Sequence, residues 1–310
     1  MIRRLIPFQI AALILALSPA AAARAEITVV TTTETLAALA REIGGDRIEA
    51  ESIARGYQDP HFVEPKPSFI LKLYRADLLI LVGRDLEIGW LPALITQSRN
   101  RQIRPGAEGY LDASFTATIL EIFQGQITRA MGDVHPLGNP HYLLGPGNGR
   151  RVAKAIQQKL TQQSPDDAAY FSERYADFDR RLATAEARWD ASMVSYAGTR
   201  IVTYHRSWAN FVDRFKLDVV GYVEPRPGIP PSPAHIVTLI QEMRSQEIKL
   251  ILVEPYFDLK TPEAIARQAD AQVLVLAPAV GATEEIGGYI ELFDHNLMLL
   301  ASALDKLGAQ

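Results

Sequence analysis

The apolar positions of the chain fall into short continuous runs separated by longer amphipathic stretches, which predicts strands alternating with helices. Ile27-Thr28-Val29-Val30 opens the pattern and ends at three threonines. A helical stretch from Thr35 to Ile43 stops at Gly44-Gly45. Arg47 to Ala54 reads as a strand, Pro67 to Tyr74 as a helix, Asp77 to Val82 as a strand, and Trp90 to Ser98 as a helix. The DLLILV run has no polar face, as in a strand covered on both sides of a parallel sheet. Such alternation is the signature of an α/β unit.

From Arg150 to about Ser195 the pattern changes to a long polar stretch with apolar residues at helical spacing, interrupted at Ser164-Pro165-Asp166-Asp167. The piece from Pro165 to Met193 spans roughly 40 Å as a helix, long enough to be a rigid connector. Strand–helix alternation then resumes. Strands are expected at Arg200 to Tyr204, Val219 to Val223, Leu250 to Val253 and Val273 to Leu276. Helices are expected at Ser207 to Phe215, Ala234 to Ser245, Pro262 to Ala269 and Ile290 to Leu304, with a proline-rich loop from Glu224 to Pro233. The predicted fold is α/β, with two lobes of mainly parallel sheet flanked by helices and joined by a long backbone helix. Residues 26–149 form the N-terminal lobe, 150–195 the helical connector and 196–310 the C-terminal lobe. A ligand of such a fold binds in the crevice at the carboxyl ends of the strands.

Residues 1–25 stand apart. Arg3 and Arg4 precede an apolar run from Leu5 to about Leu17, and small residues at Ala23 and Ala25 fit a signal-peptidase site before Glu26. The run of about 13 residues falls short of the ~20 that span a bilayer. The expectation is a secreted, periplasmic protein. No cysteine is present to carry a lipid anchor or a thiolate metal site, so a metal here is held by His, Asp or Glu. The net charge of -4 points away from a nucleic-acid partner.

Of the six histidines, three share a setting. His61 (GYQDPHFVEPKPS) and His141 (GNPHYLLGPGN) each follow a proline in a loop before a helix, and His205 (VTYHRSW) ends a strand. Pro60 and Pro140 stiffen the approach. Imidazoles drawn from loops at strand ends on both lobes suit a transition metal, with Zn²⁺ favoured over Mn²⁺ because Mn²⁺ prefers oxygen.

The residues from Gly56 to Asn100, together with GDVHPLGNPHYLL, TYHRSWANFVDRF, PRPGIPPSPAH and VEPYF, resemble the metal-binding solute-receptor family of zinc and manganese ABC transporters. The likeness spans nearly the whole chain after residue 25. It implies two α/β lobes on a backbone helix, with one metal ion between them as transported ligand; delivery to a membrane permease, by a monomer, is the expectation. Carried onto this chain, the ligands fall on His61, His141 and His205.

The fourth position departs from the family. Its members place an Asp or Glu after the last strand of the second lobe, where this chain has Ala279 and Val280 in LAPAVGATEE. Glu284, Glu285, a water molecule and Glu254 are the candidates. Glu254 is read first as a partner that orients a histidine. Asp59 and Glu64 are expected to brace the His61 loop, and His135 to be an exposed loop residue or a transient metal ligand. His235 and His295 are expected to be structural, and Trp90, Trp208 and Tyr142 to line the core or crevice. A secreted zinc hydrolase with Glu254 as general base is the rival, weakened by the absence of an HExxH helix. A third reading is an adhesin-like surface protein or a receptor for a small organic ligand.

Overall fold

The structure is a computed structural model that describes residues 26–125 and 135–308. The expected signal peptide, residues 1–25, lies outside them. Among the described residues no helix is long and apolar enough to cross a membrane.

Among the described residues, eight strands form two parallel four-stranded sheets. The first contains β1 (Ile27–Thr33), β2 (Ile48–Ala54), β3 (Leu78–Leu81) and β4 (Tyr110–Asp112), in the order β2-β1-β3-β4. The second contains β5 (Arg200–Thr203), β6 (Asp218–Tyr222), β7 (Leu250–Val253) and β8 (Gln272–Val275), in the order β6-β5-β7-β8. The two orders are the same, so each sheet has one point where successive connections leave on opposite sides of its first strand. In open parallel sheets that switch point opens a crevice at the carboxyl ends of the strands.

Nine α-helices among the described residues connect and cover the sheets. In the first half these are α1 (Glu34–Gly44), α2 (Pro67–Arg75) and α3 (Leu91–Ser98), and α4 (Pro146–Gln163) leads out of it. The long helix α5 (Ala168–Met193) follows a single 3-10 turn at Pro165–Asp167. The second half adds α6 (Ala209–Phe215), α7 (Pro233–Ser245), α8 (Lys260–Ala269) and the closing α9 (Tyr289–Gly308). Proline begins α2, α4 and α7, where the missing N–H has no intrahelical partner to lose. Ser232 caps α7, its hydroxyl accepting from His235 N at 3.2 Å.

The expected elements are present, most with ends moved by a residue or two. Strand β4 was not anticipated: at three half-buried residues it is too short to show a period. Helix α4 begins at Pro146, four residues before the predicted helical stretch.

A shared core joins the two halves. The outer face of the first sheet is closed by α2 and α3 around Val30, Leu79 and Trp90. The outer face of the second is closed by α7 and α8 around Val202, Ile251 and Met243. The inner faces share a single larger core that runs from Val29 and Leu36 through Phe178 and Trp189 to Phe211 and Phe293. Helix α5 lies along this core with Phe171, Phe178, Leu182, Ala185, Trp189 and Met193 buried at intervals of three, four or seven, one continuous stripe. Polar contacts tie the halves above that core. Val280 N donates to Thr35 Oγ1 at 3.1 Å, and Tyr289 Oη donates to the Leu143 carbonyl at 2.6 Å. Gly149 lets the Tyr289 ring lie directly on α4, where any side chain would collide with it.

Candidate metal centre

Parallel register places the site. Thr203 pairs with Tyr222 on one side and with Leu252 on the other. Two residues beyond those paired positions come His205, Glu224 and Glu254, so all three emerge at the same height on the carboxyl edge of the second sheet. In the first half, His61 follows β2, and the loop after β4 carries His135 and His141.

Each ring is held by its neighbours. His61 Nδ1 lies 2.7 Å from Asp59 Oδ1, which also accepts from the His61 backbone N–H at 2.9 Å. Trp90 Nε1 donates to the Pro60 carbonyl at 3.0 Å and anchors the same loop from below. His205 Nδ1 lies 2.6 Å from Glu224 Oε2, and the other Glu224 oxygen accepts from Gly228 N at 2.8 Å. Asn139 links two of the loops: its Oδ1 accepts from His141 N at 2.9 Å, while its Nδ2 donates to the Arg206 carbonyl at 2.7 Å. A carboxylate on Nδ1 fixes the tautomer that carries the proton there and leaves Nε2 with a free lone pair.

These constraints bring the three rings together. The His61, His141 and His205 ring centroids are 5.2, 5.4 and 5.5 Å apart. Ligand nitrogens of all three lie within 4.8 Å of one another, the one grouping among the described residues that suits a metal ion. His141 Nε2 is enclosed and has no hydrogen-bond partner, and neither oxygen of the fully buried Glu254 has one. Buried polar atoms without partners are rare, and a convergent set of them marks a place where a ligand completes the bonding.

The electrostatics suit a cation. Burial drives the His141 imidazolium far below the usual range, helped by charge on His61, His205 and His135. Burial also pulls on His205, but the Glu224 hydrogen bond and the Glu254, Glu224 and Asp59 charges outweigh it and raise its pKa. Burial raises Glu254, opposed chiefly by the charge of His205. Asp59 is lowered overall, because its contacts with His61 and the charge of His205 overcome the cost of burial.

The other candidates fall as follows. Glu254 is two residues from the paired edge of β7 but outside the three-histidine group. Glu284 and Glu285 are exposed, and Val280 is buried at the junction of the halves, beside Gly56. Glu64 is exposed, and His235 Nε2 bonds to the Tyr222 carbonyl at 2.9 Å, a structural role. Tyr142 and Trp208 are core residues, and Tyr142 Oη donates to the Val82 carbonyl at 2.7 Å. His135 is no exposed loop residue: its Nε2 lies 3.2 Å from His61 Nε2, and burial, with the His61 and His205 charges, lowers its pKa to about 4. Glu224 was missed altogether. It stands 19 positions from His205, and only the β5–β6 pairing brings the two together.

Comparison with known proteins bears out the family and the fold that the sequence resembles. Over residues 29–303 the chain matches the family described as ZnuA, zinc-uptake complex component A, periplasmic. The manganese ABC transporter substrate-binding lipoprotein PsaA of Streptococcus pneumoniae is 25% identical over 289 residues, which cover 91% of this chain and 90% of that protein. A metal ABC transporter substrate-binding lipoprotein of Lactococcus lactis is 24% identical over 291 residues, 91% of this chain and 89% of its own. Among solved structures, ZnuA superposes with a TM-score of 0.75 at 23% identity, covering 90% of this chain and 99% of that one. The SBP FpvC of P. aeruginosa, in complex with Ni²⁺, gives 0.76 at 22% identity over 92% and 99%. With the same two-sheet architecture and a match along nearly its whole length, the chain belongs to the zinc-uptake complex component A family of metal-transport proteins.

Proposed function

We propose that this protein captures one Zn²⁺ ion through the Nε2 atoms of His61, His141 and His205 and delivers it to an ABC permease. The observation that carries the reading is the convergence of three imidazoles, one of them with an orphaned buried Nε2, at the carboxyl edges of two parallel sheets. Zinc binds imidazole nitrogen at about 2.0–2.1 Å, which puts two ligands of a tetrahedral ion about 3.3 Å apart. The three nitrogens lie within 4.8 Å of one another, so capture draws them together by up to about 1.5 Å. Loop and side-chain adjustments supply such a movement without a large hinge, in keeping with the shared core.

Three nitrogen donors favour Zn²⁺ over Mn²⁺, which is the better match for oxygen-rich sites. Named relatives include manganese receptors, so Mn²⁺ is the competitor to exclude. Glu254 we assign to charge balance: its buried carboxylate offsets the ion through His205 without joining the three nitrogens. Three neutral imidazoles bring no charge of their own, and a nearby anion lowers the cost of enclosing a dication.

The chain is further proposed to divide into an N-terminal lobe (26–149), a helical connector (150–195) and a C-terminal lobe (196–310), acting as a monomer. Periplasmic residence after removal of residues 1–25 is supported by their basic, apolar and small-residue order. The N-terminal residue of the exported protein tests it, with Glu26 expected. Isothermal titration with Zn²⁺ tests the site. One ion per chain is expected, and a variant carrying both His61→Ala and His205→Ala is expected to lose binding. A tight one-to-one curve in that variant refutes the site. Competition with Mn²⁺ and metal analysis of the purified protein decide the cargo.

A further inference from the structure

We infer that His135 is a fourth imidazole ligand, which closes over the captured ion from the cleft side and makes the site all-nitrogen. The inference deepens the three-imidazole reading and rests on it. His135 Nε2 lies 3.2 Å from His61 Nε2. That separation is the spacing of two nitrogens on one tetrahedral zinc, about 3.3 Å. The ring centroid of His135 is 5.2 Å from that of His61, the same distance at which His141 stands from His61. His135 therefore occupies the place of a ligand relative to His61, though it lies outside the group formed by the other three.

The tautomers agree with this placement. Asp59 holds the Nδ1 side of His61, so the lone pair of His61 Nε2 points toward the ring of His135. The Arg84 backbone is a hydrogen-bond partner of His135 and restrains that ring in turn. His135 also stands at the junction of two openings. It lines a cleft of about 730 Å³ with His61 and Trp90, and another of about 450 Å³ with His141 and His205. A ring in that position meets an incoming ion before the deeper His141 and His205 do, and afterwards lies between the ion and solvent.

A fourth nitrogen ligand shifts preference away from Mn²⁺ and toward Zn²⁺ or another late first-row ion. A hydrogen bond that merely steadies His61 is the competing explanation of the 3.2 Å contact. His135→Gln separates the two, because an amide can still hydrogen-bond to His61 but supplies no imidazole.

The experiment uses the mature protein loaded with one equivalent of Zn²⁺. X-ray absorption counts the imidazoles around zinc, and chelator competition gives the affinity. The expected result is four imidazoles in the wild type and three in His135→Gln, with one ion still bound, a lower affinity, and a narrowed preference for Zn²⁺ over Mn²⁺. Three imidazoles in both proteins overturn the assignment of His135, whether or not the affinity falls. If the variant lacking His61 and His205 still binds zinc one to one, the underlying site falls and this assignment falls with it. Loss of binding there, together with three imidazoles in the wild type, overturns the His135 assignment alone.

Discussion

Glu224 shows how much of the proposed site depends on residues outside the three-histidine group. Its carboxylate, 2.6 Å from His205 Nδ1, keeps the proton on that nitrogen and turns Nε2 inward. Glutamine preserves the shape but removes the charge, and its amide can present N–H to Nδ1 and favour the wrong tautomer. Glu224→Gln is expected to weaken Zn²⁺ binding roughly 10- to 100-fold, while the metal-free protein keeps its far-UV circular dichroism. Competition against a chelator of known affinity checks it, and an unchanged affinity would remove Glu224 from the machinery. The Asp59–His61 pair was open to sequence reasoning, because an acid two residues from a ligand in a proline-bounded loop reaches the same ring. The Glu224–His205 pair was not, since it needs the register of β5 against β6. His135 was misjudged for a similar reason: the irregular stretch after β4 has no period from which to predict the fold-back onto His61.

At the scale of elements, the apolar runs were legible because strands covered on both faces show them, as β3 and β7 do with every residue buried. The turn after β3 was not legible. Glu87 in that turn is 3% exposed and closes it, accepting from Val82 N at 2.7 Å, Gly83 N at 3.0 Å and Thr32 Oγ1 at 2.6 Å. Burial nonetheless raises its pKa to about 7, against the pull of those three donors. The folded state therefore holds a proton that the unfolded chain, with an ordinary carboxyl near 4.5, has released. The Glu87 contribution to folding stability is lost as pH rises from about 4.5 to about 7, and its size is on the order of 3 kcal/mol. His135 and His141 act in the opposite sense, because their lowered pKa values make the folded state bind fewer protons than the unfolded one. The difference between wild type and Glu87→Gln isolates the first effect. Urea unfolding of the metal-free proteins at pH 5 and pH 7 is expected to show wild type losing stability relative to the variant across that interval. A constant difference at the two values would mean that Glu87 is ionised throughout.

At the scale of the whole molecule, two sheets with separate outer cores share one inner core along α5. Helix α5 is joined to α9 by Trp189 Nε1 on Asp294 at 2.6 Å and by the Trp189–Phe293 ring pair. On its other side, Arg150 of α4 reaches Asp179 at 2.5 Å and Glu186 at 2.6 Å. Neither half can unfold without exposing Phe178, Trp189 and their neighbours to water, so the metal-free protein is expected to melt in one cooperative transition despite its two sheets. On the proposed site the ion would add to this unity, because the three histidines come from both halves. At a free Zn²⁺ concentration one hundred times the dissociation constant, binding stabilises the native state by about 2.7 kcal/mol. For a chain of this length, with an unfolding entropy of about 2.1 cal/mol/K per residue, that is a rise in melting temperature of roughly 4–5 °C. Calorimetry with and without zinc checks both expectations together. The transition should stay single and move upward as a whole. A double variant of His61→Ala and His205→Ala should melt cooperatively and ignore the metal. If the metal-free protein melts in two separated steps, the inner core does not couple the halves, and rigidity along α5 cannot be what limits capture to small movements of the loops.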